Sequence, residues 1–152
     1  MKIQIFTSYF YQVRNMLPYM IPMSTALSDP KWYRGIHKDK NGVYNGLRAP
    51  VFAPGSKCKN LCHGPRNCVH LYVPTECPFL SAYREQLFEL DYNNIIFRIE
   101  RLSYYIKSLE KFKEDPIAIL LVHEAPNNPC SERRIIQEWF KINGNSITEW
   151  EK

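Results

Sequence analysis

Ile117-Ala118-Ile119-Leu120-Leu121-Val122-His123, followed directly by Glu124, is the stretch that decides the fold. It has no polar alternation until the histidine. A strand with one wet face would alternate, so this run reads as a central strand of a parallel sheet, buried on both faces. Working outward, residues 125–129 hold two Pro and two Asn and make a tight connection. Residues 131–143 follow as a helix, with Ile135, Ile136, Trp139, Phe140 and Ile142 expected inward and Gly144 expected at its C-terminal cap. On the other side, residues 93–113 form the clearest helix of the chain. Ile95, Ile96, Ile99, Leu102, Ile106 and Leu109 recur at three- and four-residue steps, and Glu114-Asp115-Pro116 stops the pattern.

The remaining elements fall around this unit. Residues 2–10 read as a first strand and 11–16 as a short helix ended by Leu17-Pro18. Residues 19–25 form a second strand that Pro22 assigns to an edge or a strand end. Residues 78–90 are helical, with Pro78 in the first turn, and residues 146–150 form a closing strand. Residues 28–55 are irregular, with Pro30, Gly35, Gly42, Gly46, Pro50, Pro54 and Gly55; so long a stretch implies an insert with its own order or a functional lid. The expected architecture is one α/β domain over residues 1–152, a mainly parallel sheet flanked by helices on both sides, with an irregular, Cys-rich insert at 28–78.

Hydrophobic residues at 45% support a packed core and exclude disorder. The net charge of +5 permits an anionic partner, but Lys and Arg are scattered and form no dedicated nucleic-acid footprint. No stretch approaches the roughly 18 apolar residues that span a bilayer. Residues 1–10 lack the long apolar region and cleavage site of a signal peptide. A cytoplasmic location is therefore expected, where thiols stay reduced, and the five Cys read as ligands or reactive thiols before disulfides.

Ligands of parallel sheets collect beyond the carboxyl ends of the strands, which here means residues 124–134. Cys130 lies just before a helix, among amides without intrahelical partners, with Arg133 and Arg134 one turn away. Such surroundings favour a thiolate or a bound anion. Glu124 can act as a base or accept from a ligand hydroxyl, whereas His123 should point to the opposite face. The plainer alternative is a small buried Cys, a helix capped by Ser131 or Asn128, Glu132 complementing the dipole and solvated arginines. Two known chemistries are excluded. A zinc deaminase needs His-x-Glu and Pro-Cys-x-x-Cys, but Glu124 follows His123 directly and position 133 is Arg. A Cys-x5-Arg phosphatase loop fails because position 136 is Ile.

Thr7-Ser8-Tyr9-Phe10, Ile21-Pro22-Met23-Ser24, the Pro30/Trp32/Gly35 element and Ala49-Pro50 occur in the order found in one known family. So do the strand ending at Glu124-Ala125-Pro126, Cys130 and Glu138-Trp139. On these residues the chain resembles domain-of-unknown-function family 488, particularly its short phage and bacterial members, over about two thirds of its length. The resemblance implies the same fold and the same site location, and it implies no particular reaction. Members commonly carry Cys-His-Arg at the turn; Cys130-Ser131-Glu132-Arg133 is one residue longer and lacks that His.

A second constellation lies outside the shared pattern: Cys58, Cys62, His63, Cys68, His70 and Cys77. Four thiols within about twenty residues suit tetrahedral zinc. The preferred set is Cys58, Cys62, Cys68 and Cys77, with His63 or His70 able to replace one Cys. All positions would be filled, so the site would be structural. An iron–sulfur cluster is the less favoured metal, and disulfides or plain thiols are the alternatives. Two functions compete. The first is a domain binding or acting on a nucleotide or nucleic-acid component, with Glu124, Cys130 and Arg133 at its centre and Thr7, Ser8, Tyr9, Trp32 and Arg134 contacting ligand. The second is a non-enzymatic nucleic-acid or protein interaction module carrying structural zinc.

Overall fold

A computed structural model describes residues 3–59, 61, 77–128 and 130–152. The strands are β1 (Gln4–Tyr9), β2 (Met20–Ser24), a small antiparallel pair β3 (His37–Lys38) and β4 (Tyr44–Asn45), and β5 (Ile117–Val122). The helices are α1 (Ser56–Lys59), α2 (Pro78–Phe88), α3 (Tyr92–Glu110) and α4 (Arg133–Ile142). β1, β5 and β2 form a parallel sheet in that order, with Gln4 and Met20 both level with Ile117. The apolar run is therefore the central strand. Ala118, Ile119, Leu120 and Leu121 are fully buried.

Short segments extend the sheet at both edges. Thr7 N donates to Thr148 O at 3.1 Å and Trp150 N to Thr7 O at 2.7 Å, so the expected closing strand lies along the outer side of β1. Ser24 N donates to Leu47 O and Ala49 N to Ser24 O, which places residues 47–49 along β2. Pro22 has the same parity as Ser24, so its missing N–H faces this outer side and no bond to β5 is lost.

The two faces of the sheet are covered differently. On one, Ile5, Leu120, Val122 and Met23 pack under α2, α3 and α4, with Tyr83, Ile99, Trp139 and Phe140 fully or nearly buried. Trp139 meets Phe52 edge-on at 5.4 Å and Tyr92 at 5.2 Å, so much of the aromatic content is core. On the other, Ile119 and Leu121 pack against Phe10, Val13 and Met16 of a 3-10 helix (Phe10–Asn15) and against Tyr33 and Val43. The sheet is thus parallel, flanked by helices and covered on both sides as expected, with the long helices sharing one face. Residues 28–55, expected as an insert or lid, are part of the core: Tyr33 and Val43 pack on the second face, Phe52 joins Trp139 on the first, and the Tyr33 hydroxyl reaches Leu47 O at 2.6 Å.

Helix ends also differ from expectation. α3 starts on an Asp91 side-chain cap and ends at Glu110, with Lys111 in the left-handed conformation, ahead of the Pro116 stop. Leu109 in its last turn is exposed. α4 begins at Arg133, two residues later than read from the sequence, because Ser131 accepts from Arg133 N and acts as the cap. At its far end Gly144 has φ +88°, Gly144 N donates to Lys141 O and Asn145 N to Phe140 O. This two-bond motif turns the chain back toward β1. Ile142, expected inward, is exposed at that turn.

Candidate functional site

β1 and β5 are neighbours, yet the chain leaves them toward opposite faces. After β1 it enters the 3-10 helix on the second face; after β5 it enters α4 on the first. A crevice opens at the carboxyl ends of two parallel strands where their connections diverge in this way. The register places Thr7 beside Leu120 and Tyr9 beside Val122, all on the α4 side. Glu124 follows two residues after Val122. His123 faces the other way, its ring 4.9 Å from Phe10 and its Nε2 2.6 Å from Ser28 O, as strand alternation requires.

Arg133 organises the crevice. It is only 4% exposed. Its Nε donates to Glu149 Oε1 at 2.6 Å, one terminal nitrogen to Glu124 O at 2.6 Å and the other to Ala125 O at 3.2 Å. The guanidinium therefore ties the end of β5, the start of α4 and the edge segment 148–150 into one unit, and it lies 5.9 Å from the Tyr9 ring. Thr7 Oγ1 donates to Glu149 Oε1 at 2.7 Å and accepts from Gln137 Nε2 at 2.8 Å. Ser8 Oγ donates to Trp150 O at 2.7 Å, on the opposite face of the same strand.

The crevice is acidic. Glu132 shares a hydrogen bond with Glu124, and its carboxyl is pushed up to about 8, first by burial and then by the Glu124 charge beside it. Glu132 therefore holds its proton near neutral pH. Glu149 Oε2 is buried and receives no hydrogen bond among the described residues, and the Glu124 carboxylate has the Glu132 carboxyl as its side-chain partner. A buried acceptor without a donor costs about 1–3 kcal/mol.

Cys130 is half-buried, and its backbone N–H donates to Asn128 Oδ1 at 2.9 Å. It lies in the turn ahead of α4. Arg134 is exposed on the outer face of α4. Trp32 is elsewhere: its ring meets Phe10 edge-on at 6.3 Å and lines a separate cleft on the second face with Val13, Arg14 and Lys40. The structure thus brings together Thr7, Tyr9, Glu124 and Arg133, sets Ser8 on the opposite side of β1, and separates Trp32 from them. It adds Glu132, Gln137 and Glu149. Glu132 reads in the sequence as a dipole partner of the helix, and Glu149 has no local pattern that couples it to Thr7.

Of the thiol set, Cys58 and Cys77 are buried in the core on α1 and at the start of α2, with Cys58 Sγ 3.5 Å from Gln86 Oε1. Cys62, His63, Cys68 and His70 lie outside the described residues. Among the described residues, no group of three or more His, Cys, Asp or Glu side chains is placed to hold a metal. No helix among them is long and apolar enough to cross a membrane.

The fold is α/β, with the acidic side chains of Glu124, Glu132 and Glu149 and the buried Arg133 where the connections of β1 and β5 diverge. The chain matches no protein-family model, no curated protein and no solved structure.

Proposed function

We propose that the chain binds, and acts on, a nucleoside-type component of a nucleotide or nucleic acid in this crevice. The observation that carries the reading is the buried oxygen Glu149 Oε2, without a donor among the described residues, together with the Glu124–Glu132 carboxyl pair at the divergence of β1 and β5. A ribose diol or a base amino group supplies the donor that oxygen lacks. The Glu132 proton adds an acid beside the Glu124 carboxyl, so proton transfer to a bound hydroxyl or leaving group is chemistry this pair can perform. Arg133 acts as a positioning residue, since the three hydrogen bonds it makes all go to the chain itself. Family-488 membership belongs to the same proposal. It is supported by the meeting of Thr7, Tyr9 and Glu124, residues that carry the resemblance, in one crevice.

Calorimetric titration with the common ribonucleosides tests the reading. Binding to the native chain should fall about tenfold or more in Glu124→Gln, whose amide places a donor where the ligand donates. Cys130→Ser should weaken binding if the thiol faces ligand. Absent binding, or equal binding by both variants and the native chain, would remove the proposal.

A structural zinc ion on Cys58, Cys62, Cys68 and Cys77 is a separate proposal. It is supported by the soft donor set and by the packing of α1, which carries Cys58, against α2, whose start is Cys77. One zinc per chain in elemental analysis supports it, and metal-free protein with native stability removes it.

A further inference from the structure

A pocket of about 400 Å³ opens on the β2 side of the sheet, between α3 and residues 48–52, which run beside β2. Ligand sites of small molecules fall in the same size range, roughly 300–1,000 Å³, and are mostly apolar with a few polar groups at fixed positions. This pocket has that composition. Met23, Ala49, Phe52, Ile95 and Ile99 line it and are themselves buried. Ile95, Ile99 and Leu102 recur at three- and four-residue steps, so one side of α3 makes a continuous apolar wall. The facing wall is the 3-10 turn Pro50–Phe52, held by the Tyr83 hydroxyl, which donates to Phe52 O at 2.5 Å. Both walls are therefore fixed by the core, and the pocket exists without a ligand to shape it.

The ionic groups around the pocket are not equivalent. Arg48 is committed to Asp29 at 2.7 Å and to Ala26 O. The Asp91 side chain accepts from Asn94 N and caps α3. Glu89 stands at the same N-terminal end of α3, where helix amides without partners offset negative charge. Arg98 lies about two turns further along the helix. The positions three and four residues from it are Asn94, Ile95, Arg101 and Leu102, so α3 supplies it with no carboxylate. Among the described residues it makes no ion pair and no side-chain hydrogen bond. We propose that the pocket binds an apolar monocarboxylate, its carbon skeleton against Met23, Phe52 and Ile99 and its carboxylate on Arg98. A guanidinium meets a carboxylate at two points, and the Asn94 amide, one turn away on the same side of α3, adds a neutral donor. Burial of the apolar body supplies the affinity and the head sets the class. The pocket is separate from the crevice beside β1, so this inference stands apart from the nucleoside reading.

Octanoate, octanol and octylamine share one apolar body and differ in the head. They are titrated calorimetrically into the full chain, with the native fold of each variant checked by circular dichroism. Octanoate should bind about fivefold or more tightly than octanol, and octylamine more weakly than either. In Arg98→Ala the octanoate affinity should fall to within about twofold of that of octanol, whose own binding should not change. Arg101→Ala is the control: its guanidinium lies over the Phe97 ring on the outer face of α3, so all three affinities should stay native. Octanoate no tighter than octanol, octylamine as tight as octanoate, or an octanoate preference that survives Arg98→Ala overturns the carboxylate assignment. Absence of binding by all three probes up to about 2 mM overturns the pocket as a ligand site.

Discussion

The crevice and the cleft on the outer face of α4, between that helix and α2, share α4 and the residues around Glu149, yet they are made in opposite ways. The crevice is buried, acidic and internally bonded: Arg133 is held at three points, and Thr7, Glu149 and Gln137 form a chain of hydrogen bonds. The cleft is open, and Arg134 and Lys141 on its wall are exposed. Buried charge in the first is part of what holds the fold together, whereas exposed charge in the second is screened by solvent. The same residue type one position apart, Arg133 and Arg134, is buried in one case and exposed in the other, set by which side of α4 it occupies.

The largest effect separates buried from exposed charge. Arg133→Ala leaves the Glu149 carboxylate buried without its cation and should cost about 3–5 kcal/mol in denaturant unfolding. Lys141→Ala, on the exposed side of the same helix, should change stability by no more than about 0.5 kcal/mol. Equal costs for the two substitutions would erase the distinction.

The next effect is in pH. Folded Glu132 holds its proton up to about 8, whereas the unfolded side chain releases it near 4.5. Between those values the folded chain binds more protons than the unfolded one, so stability is full below the window and is lost as pH rises through it. Native protein should therefore lose stability from pH 5 to about 8.5, on the order of a few kcal/mol, and Glu132→Gln should flatten the profile. A native profile as flat as that of the variant would mean that Glu132 does not hold its proton in the folded chain.

Thr7→Val is a smaller perturbation. It removes the donor to Glu149 and the acceptor for Gln137, and should cost about 1–2 kcal/mol in denaturant unfolding. The smallest effect is expected from Trp32→Ala. That ring lies on the second face, so ligand affinity should stay within about twofold of native.

The parts of this arrangement that were legible in the sequence are those written in local pattern. The apolar run Ile117–Val122 gave away the central strand because burial on both faces removes alternation. The strand-to-helix turn placed Glu124 and Arg133 by topology alone. What stayed hidden depends on contacts far apart in sequence. Thr7 and Glu149 meet only because a single parallel bridge lays the edge segment on β1. Glu132 looks like an ordinary first-turn acid until Glu124 is folded against it. Trp32 looked like a stacking residue because an exposed aromatic carries no mark of which face it will occupy. Both helix ends of α4 were read within two residues, since Ser131 and Gly144 are themselves the capping chemistry.

Amide chemical-shift mapping on addition of a ribonucleoside tests the central claim most directly. The account predicts shifts at Thr7, Glu124 and Glu149, with Trp32 and Lys40 unmoved. Shifts confined to the second face, or none at concentrations up to about 5 mM, where even millimolar affinity would register, would contradict it.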